Sequence, residues 1–191
     1  MIGICGLLII VLACLLAPVL TPYGFQEMDL QNIKSGPSLL HPLGTDTLGR
    51  DYLTRLLYGG RYSLALGVIG AFVSFVIGLA FGSIAGYFGG WIDNIIMRIC
   101  DVIQAIPPTM VSIVISMAFG NGYFATIFAL ALGGCTNGIR MTRGQILKTR
   151  KEEYLEAARS INCSTFRIVF KHTLPNVISP MLLGFTMGIG G

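Results

Sequence analysis

Five apolar stretches divide this 191-residue chain, and they constrain its fold more than any other feature. Residues 2–20 are almost continuously apolar, close to the ~20 residues that a helix needs to span hydrocarbon. Further stretches cover 63–86, about 92–119 and about 123–140, and a fifth opens at Val177. Only 12% of the residues are charged, where a soluble domain carries about 25%. The expectation is an all-α, polytopic bundle of transmembrane helices. Between the stretches lie turn formers. Pro18 and Pro22 end the first, and Gly24, Gly36-Pro37, Pro42 and Gly44 punctuate a loop with short helices over 21–62. Tyr87 to Trp91 make an interfacial turn, Pro107-Pro108 interrupt the third stretch, and Gly120-Asn121-Gly122 turn the chain into the fourth. Residues 1–60 therefore form an N-terminal helix with an external loop, and 61–191 a bundle core with a cytoplasmic loop over 140–176. The fifth stretch holds fifteen residues to Gly191, short of a span, so the gene is expected to continue with at least one further span. No basic residue precedes the first stretch.

Charge placement orients the bundle. Arg140, Arg143, Lys148, Arg150, Lys151, Arg159, Arg167 and Lys171 lie within residues 139–172. Residues 21–62 hold Lys34, Arg50, Arg55 and Arg61, balanced by Glu27, Asp29, Asp46 and Asp51. The positive-inside rule puts the first group in the cytoplasm and the second outside, with the N-terminus inside. The cysteines at 5, 14, 100, 135 and 163 form no C-x-x-C pair, so they read as small buried hydrophobes rather than a disulfide framework or a metal site. Val11-Leu12-Ala13-Cys14 resembles a lipoprotein cleavage box, but the leucine before Ala-Cys and the missing basic start argue against processing.

Three constellations stand out. Gly70, Ser74, Gly78, Gly82 and Gly86 recur every fourth residue, a stripe roughly 24 Å long at 1.5 Å per residue. Small residues at this spacing let another helix approach closely, and substitutions at Phe75 or Leu79 should matter less if those residues face lipid. Arg98 and Asp101 are three apart and can pair on one helical face, which favours a structural ion pair over a proton relay. Pro107-Pro108 impose a kink or an unwound segment at mid-membrane. No nucleotide-binding loop, H-E-x-x-H or G-x-S-x-G pattern occurs, and His41 and His172 read as solvated loop residues. Any energy source is then a separate protein, and nothing marks a nucleic-acid binder.

Residues 152–176 form a basic amphipathic segment. Tyr154, Ala158 and Ile161 share a helical face, and Ala157-Ala158 leave a flat patch for close docking. Asn162 interrupts, and asparagine tolerates the left-handed turn that separates two short helices. Ser164 or Thr165 caps the second helix, with Phe166, Val169 and Phe170 on its apolar side, and Pro175 ends it. The bland alternative is a generic interfacial helix.

Glu156-Ala157-Ala158, followed by a run ending at Leu174-Pro175, resembles the E-A-A coupling loop of bacterial ABC-importer permeases. Asn162 stands where that family has glycine. His41-Pro42-Leu43-Gly44-Thr45-Asp46, Leu48-Gly49-Arg50-Asp51 and Arg55 to Gly59 are similar to the dipeptide/oligopeptide/nickel permeases, more narrowly their C-type subunit. So are Ala85 to Gly90 and Asp93 to Arg98. Thr136-Asn137 depart from the pattern. The resemblance implies a MetI-like fold and peptide import by alternating access. It implies a second, B-type permease subunit, two ATPase subunits that carry ATP and Mg, and an external solute-binding protein, with no cofactor on this chain. Glu156, Ala157, Ala158, Arg159, Asn162 and Pro175 would couple to the ATPase. Asp46, Gly49, Arg50 and Asp51 would either meet the binding protein or hold the external loop by local salt bridges. Nickel or another small solute is the alternative cargo. A membrane enzyme lacks a nucleophile–base pair, and an ATP-independent channel or secondary transporter lacks an unpaired intramembrane carboxylate.

Overall fold

The computed structural model describes residues 2–120, 122–160, 163, 164 and 167–188, and only the backbone of Ile2, residues 156–159, Phe170, His172 and Gly188. The described residues are helical apart from loops and one isolated antiparallel bridge, Thr45 to Asp51. They pack as two units, 1–65 and 66–191.

In the first unit, α1 (Ile2–Leu15) is followed after one residue by α2 (Ala17–Leu20). Pro18 does not stop the helix, contrary to the sequence reading. It sits in the first turn of α2, where a missing N–H has no helical partner to lose. Thr21 ends the turn instead, its amide and Oγ1 both donating to the Ala17 carbonyl at 3.1 and 3.0 Å. Cys14, Ala17 and Leu57 form a buried cluster with Leu53 and Tyr58 at its edge. The Cys14 thiol packs where a side chain on Gly60 would otherwise lie.

Residues 22–51 contain turns and no helix, a second departure from expectation. His41 is buried there, at 3% exposure, and is not a solvated residue. Its Nδ1 lies 3.0 Å from Asp51 Oδ1, its Nε2 3.6 Å from Asp29 Oδ2, and its ring stacks on Tyr23. Two carboxylates and an aromatic face make an interior place for an imidazole that the sequence alone did not disclose. Helix α3 (Tyr52–Phe88) begins eleven residues before the expected span. Asp51 sets that start: its Oδ2 accepts from the Thr54 amide at 2.7 Å and the Thr54 hydroxyl at 2.8 Å, satisfying a donor that the first turn leaves unpaired.

In the second unit, the C-terminal part of α3 is followed by α4 (Gly90–Ala105), α5 (Pro108–Phe119), α6 (Tyr123–Thr149) and α7 (Glu153–Ser160). A π-helical turn (Ile168–Thr173) then runs into α8 (Leu174–Gly188). Among the described residues α3 alone is long and apolar enough to cross a membrane as one helix. The α4–α5 pair passes the same test together, bent by 88°. Ile106, at φ −95°, ψ 127°, and Pro107, at φ −55°, ψ 135°, are both extended there, as a residue preceding proline and a ring without a donor dictate. The expected first and fifth spans correspond to the shorter apolar helices α1 and α8. The fourth lies within α6, which continues to Thr149. Arg140, Arg143 and Lys148 therefore stand on a helix, not in the loop that the sequence placed from 140.

The core of this unit is where α3, α6 and α8 meet. Ile146, Val177 and Met181 are buried, with Phe75, Leu79 and Tyr87 packed against them, and Phe75 lies 5.5 Å from the Phe185 ring. The condition that Phe75 and Leu79 face lipid is not met: both belong to the helix contact.

Candidate functional site

The small-residue stripe of α3 lies on α6, which carries a matching stripe. A Cβ on Gly70 would stand 3.0 Å from Leu130 Cβ; on Gly78, 2.9 Å from the Gly138 carbonyl carbon; on Gly86, 2.9 Å from Ile146 Cβ. At Gly82 it would meet Thr142 Cβ at 2.5 Å and the Ile139 carbonyl oxygen at 2.6 Å. Ser74 Oγ donates to the Ala131 carbonyl at 3.1 Å. The contacts advance in step, 70 to 130, 78 to 138, 82 to 142, 86 to 146, so the two helices run parallel with both ridges at a period of four. The partner stripe Gly134, Gly138 and Thr142 was readable by the same spacing.

A polar seam joins α4 to the other side of α6, in antiparallel register. Asp93 is buried, and its two oxygens accept from Arg143 Nε and Nη2 at 2.5 and 2.6 Å. Farther along, Arg140 Nη2 donates to Asp101 Oδ1 at 2.7 Å. Arg98 does approach Asp101, but only to 3.7 Å, and its side chain is 85% exposed. The short-range pairing read from the sequence is thus the weaker of the two contacts Asp101 makes. Both interhelical partners sit on the part of α6 assigned from sequence to a loop, so the spacing argument had no access to them.

In the first unit the Gly49-Arg50-Asp51 motif is bound up within its own loop. Asp46 accepts from the Leu48 and Arg50 amides at 2.8 and 3.0 Å, from Arg50 Nε at 2.8 Å and from Arg55 Nη1 at 3.3 Å. Burial pushes its carboxyl upward, but the Arg50 and Leu48 amides and the Arg50 guanidinium outweigh this and hold it below the ordinary carboxylate range. Asp51 is lowered similarly: burial opposes, while the Thr54 amide and hydroxyl and His41 prevail. Gly49 has φ +75°, and a Cβ there would collide with the Asp29 carbonyl oxygen. Gly49→Ala is expected to loosen this loop, since a left-handed alanine alone costs about 1–2 kcal/mol. Limited proteolysis in membrane vesicles should nick residues 21–51 faster, whereas Gly36→Ala, with open space around it, should leave the rate unchanged.

The E-A-A segment begins in α7. Leu155 is buried against Ile168, with Tyr87 and Cys163 at the edge, while Tyr154 is 42% exposed and its hydroxyl accepts from Asn176 Nδ2 at 2.9 Å. The inward residue of this helix is therefore Leu155, and Tyr154, one position before it, is rotated away by about 100°. Glu156, Ala157, Ala158 and Arg159 belong to α7, but their side chains lie outside the described residues, as do Ile161, Asn162, Thr165 and Phe166. Ser164 begins the next turn, its Oγ accepting from the Arg167 amide at 3.4 Å and its carbonyl from the Ile168 amide at 3.0 Å. Pro175 does not end a helix. It stands in the first turn of α8, and the widened π turn before it, in which Thr173 Oγ1 donates to the Ile168 carbonyl at 3.1 Å, relieves the contact between the ring and the preceding turn. Arg150 Nη1 reaches the Tyr87 carbonyl at 3.3 Å, so the end of α6, just before the segment, is tied to the end of α3.

Residues 78–191 match the family described as binding-protein-dependent transport system inner membrane component, and residues 1–42 match the N-terminal transmembrane domain of oligopeptide transport permease C. The chain is 35% identical over 99% of its length to the oligopeptide transport system permease protein OppC of Bacillus subtilis, covering 62% of that protein. It is 39% identical over 98% to the glutathione transport system permease protein GsiD of Pectobacterium atrosepticum, covering 62%. It is 37% identical over 99% to the dipeptide transport system permease protein DppC of Bacillus subtilis, covering 59%. The chain thus spans about three fifths of the length of these relatives. A helical chain with a matched pair of small-residue ridges, an α7 whose Leu155 packs beside Tyr87 at the end of α3 and this extent of similarity belongs to the family of binding-protein-dependent transport system inner membrane components.

Proposed function

We propose that this chain is the C-type permease subunit of an ATP-binding-cassette importer that moves di- and oligopeptides across the cytoplasmic membrane. The observation that carries the reading is the similarity over nearly the whole chain to permeases named for oligopeptide, dipeptide and glutathione transport. Such a subunit hydrolyses nothing itself. Two ATPase subunits supply ATP hydrolysis, a B-type subunit completes the path, and an external binding protein delivers cargo. The N-terminus and the segment after α6 face the cytoplasm, and residues 21–51 face outside, in keeping with the clustered cations between 139 and 172. Leu155, packed on Ile168 beside Tyr87, would carry a displacement of α7 to α3 and α8. That is the mechanical requirement of coupling.

The test is binding-protein-stimulated ATP hydrolysis by the complete transporter in proteoliposomes. Ala158→Trp should cut stimulation at least fivefold while the binding protein still binds peptide normally, because a bulky side chain at a close docking surface has no cavity to enter. Asn162→Gly should be nearly silent and Asn162→Val harmful, since a β-branched residue resists positive φ. Normal stimulation in Ala158→Trp, or equal activity of the two variants at 162, would remove the coupling assignment.

A further inference from the structure

Where α4 approaches its break, the α4–α6 surface is open and polar. Gln104 Nε2 donates to Thr136 Oγ1 at 3.1 Å and to Asn137 Oδ1 at 3.0 Å. Thr136 is buried, while Gln104 and Asn137 are exposed. Both Gln104 amide hydrogens are used, so its Oε1 and the Asn137 Nδ2 have no partner among the described residues. Turning both carboxamides over exchanges the atoms but still leaves one acceptor and one donor side by side. About one turn away, Asp101 sits between Arg140 and Arg98, whose side chains are 41% and 85% exposed. Two cations share one anion. Elsewhere the same helices expose Ile95, Ile99, Val102, Ile106, Phe128 and Leu130.

The depth of this strip makes lipid an untenable neighbour. Asn137 adjoins Gly138, which meets Gly78 of α3, and Gly78 stands about 12 Å along α3 from Gly86 at the end of the apolar stretch, inside ~30 Å of hydrocarbon. Unsatisfied amide atoms cost several kcal/mol there. The strip must face water or a polar occupant, and the 88° bend just beyond it opens the helix line at that level.

We infer that this strip is a cargo contact within the transmembrane path: the Gln104–Asn137 carboxamides bind one backbone amide of the transiting peptide, and Arg98, with Arg140, binds its terminal carboxylate. The inference rests on the peptide-importer reading. One free donor beside one free acceptor matches the C=O and N–H of a peptide backbone, which every peptide presents whatever its side chains. The excess positive charge matches the one anion common to all of them.

The experiment measures ATP-driven uptake by the complete transporter with its binding protein in proteoliposomes. The probes are trialanine, trialanine with N-methylated backbone amides, and trialanine C-terminal amide. Gln104→Leu and Asn137→Leu should each lower trialanine uptake at least tenfold and uptake of the N-methylated analogue less than threefold, because the analogue has no N–H to lose. Arg98→Gln, which breaks only a 3.7 Å contact on an exposed side chain, should lower trialanine uptake at least fivefold and leave the C-terminal amide unchanged. Unaltered uptake, or equal falls for trialanine and its analogues, overturns the proposal while leaving the importer reading intact. Loss of the co-purifying second permease subunit from these variants also overturns it, and makes the strip a subunit interface. A wild-type transporter that accumulates no peptide overturns both.

Discussion

Gly82→Leu is expected to abolish accumulation of folded permease, the largest effect of any single substitution in the small-residue stripe. Even the first carbon of a side chain at 82 would stand 2.5 Å from Thr142 Cβ and 2.6 Å from the Ile139 carbonyl oxygen. Neither is the far end of a flexible side chain. Relief therefore requires α3 and α6 to separate along their length, and Gly78 and Gly86, one turn away on either side, also lie close to backbone, a Cβ there standing 2.9 Å from the Gly138 carbonyl carbon and 3.1 Å from the Arg143 carbonyl oxygen. Overpacking costs typically 1–3 kcal/mol and occasionally more. Here the cost should reach or exceed about 3 kcal/mol, because separation also opens the Ile146–Val177–Met181 cluster. Gly133→Leu is the matched control. It lies on the same helix as the partner stripe, with open space where its side chain would point. Fluorescence-detected size exclusion of the two variants after expression with the partner subunits should show loss of the assembled peak for Gly82→Leu and a normal peak for Gly133→Leu. Equal peaks would show that the ridges do not govern assembly.

Asp93→Asn is expected to destabilise the purified protein by about 2–3 kcal/mol. Removing one member of a buried ion pair leaves an uncompensated charge and costs about 3–5 kcal/mol. The Arg143 side chain keeps 33% exposure, and solvent reduces the figure. For a chain of this size the apparent melting temperature should fall by about 5–10 °C. Arg140→Gln removes a pair of comparable length whose partners are 41% and 47% exposed, and its effect should stay below about 1 kcal/mol. Exchanging the charges, Asp93→Arg with Arg143→Asp, should recover part of the loss. A melting temperature for Asp93→Asn no lower than that of Arg140→Gln would mean that the seam between α4 and α6 contributes nothing beyond packing.

What was legible in the sequence has a common character. The small-residue stripe of α3, the break at Pro107-Pro108 and the character of the apolar stretches all depend on residues within a turn or two of one another. Helical period, proline stereochemistry and apolar length act locally, so order along the chain is enough to read them. The misreadings were of two kinds. Element ends moved where a capping group or a register change could not be weighed in advance. Asp51 starts α3 at Tyr52, α6 continues through its own arginines to Thr149, and a π turn carries the chain past Pro175. Partners were missed where they lie far along the chain. Asp93 finds Arg143, Asp101 prefers Arg140 to Arg98, Gln104 finds Thr136 and Asn137, and His41 sinks between Asp29 and Asp51.

By itself the sequence determined that the chain makes apolar helices, that α3 offers a ridge shallow enough for close approach, and that a basic segment carrying Glu156-Ala157-Ala158 follows the fourth stretch. Only the tertiary structure decided that this ridge lies on the stripe of α6 in parallel register, that α4 lies against α6 in the opposite direction, and that Leu155 rather than Tyr154 turns inward. A repeat along one helix states which face can be approached. Which residue arrives there depends on the relative sliding and rotation of two helices, and a slide of one residue turns the facing side chain by about 100°.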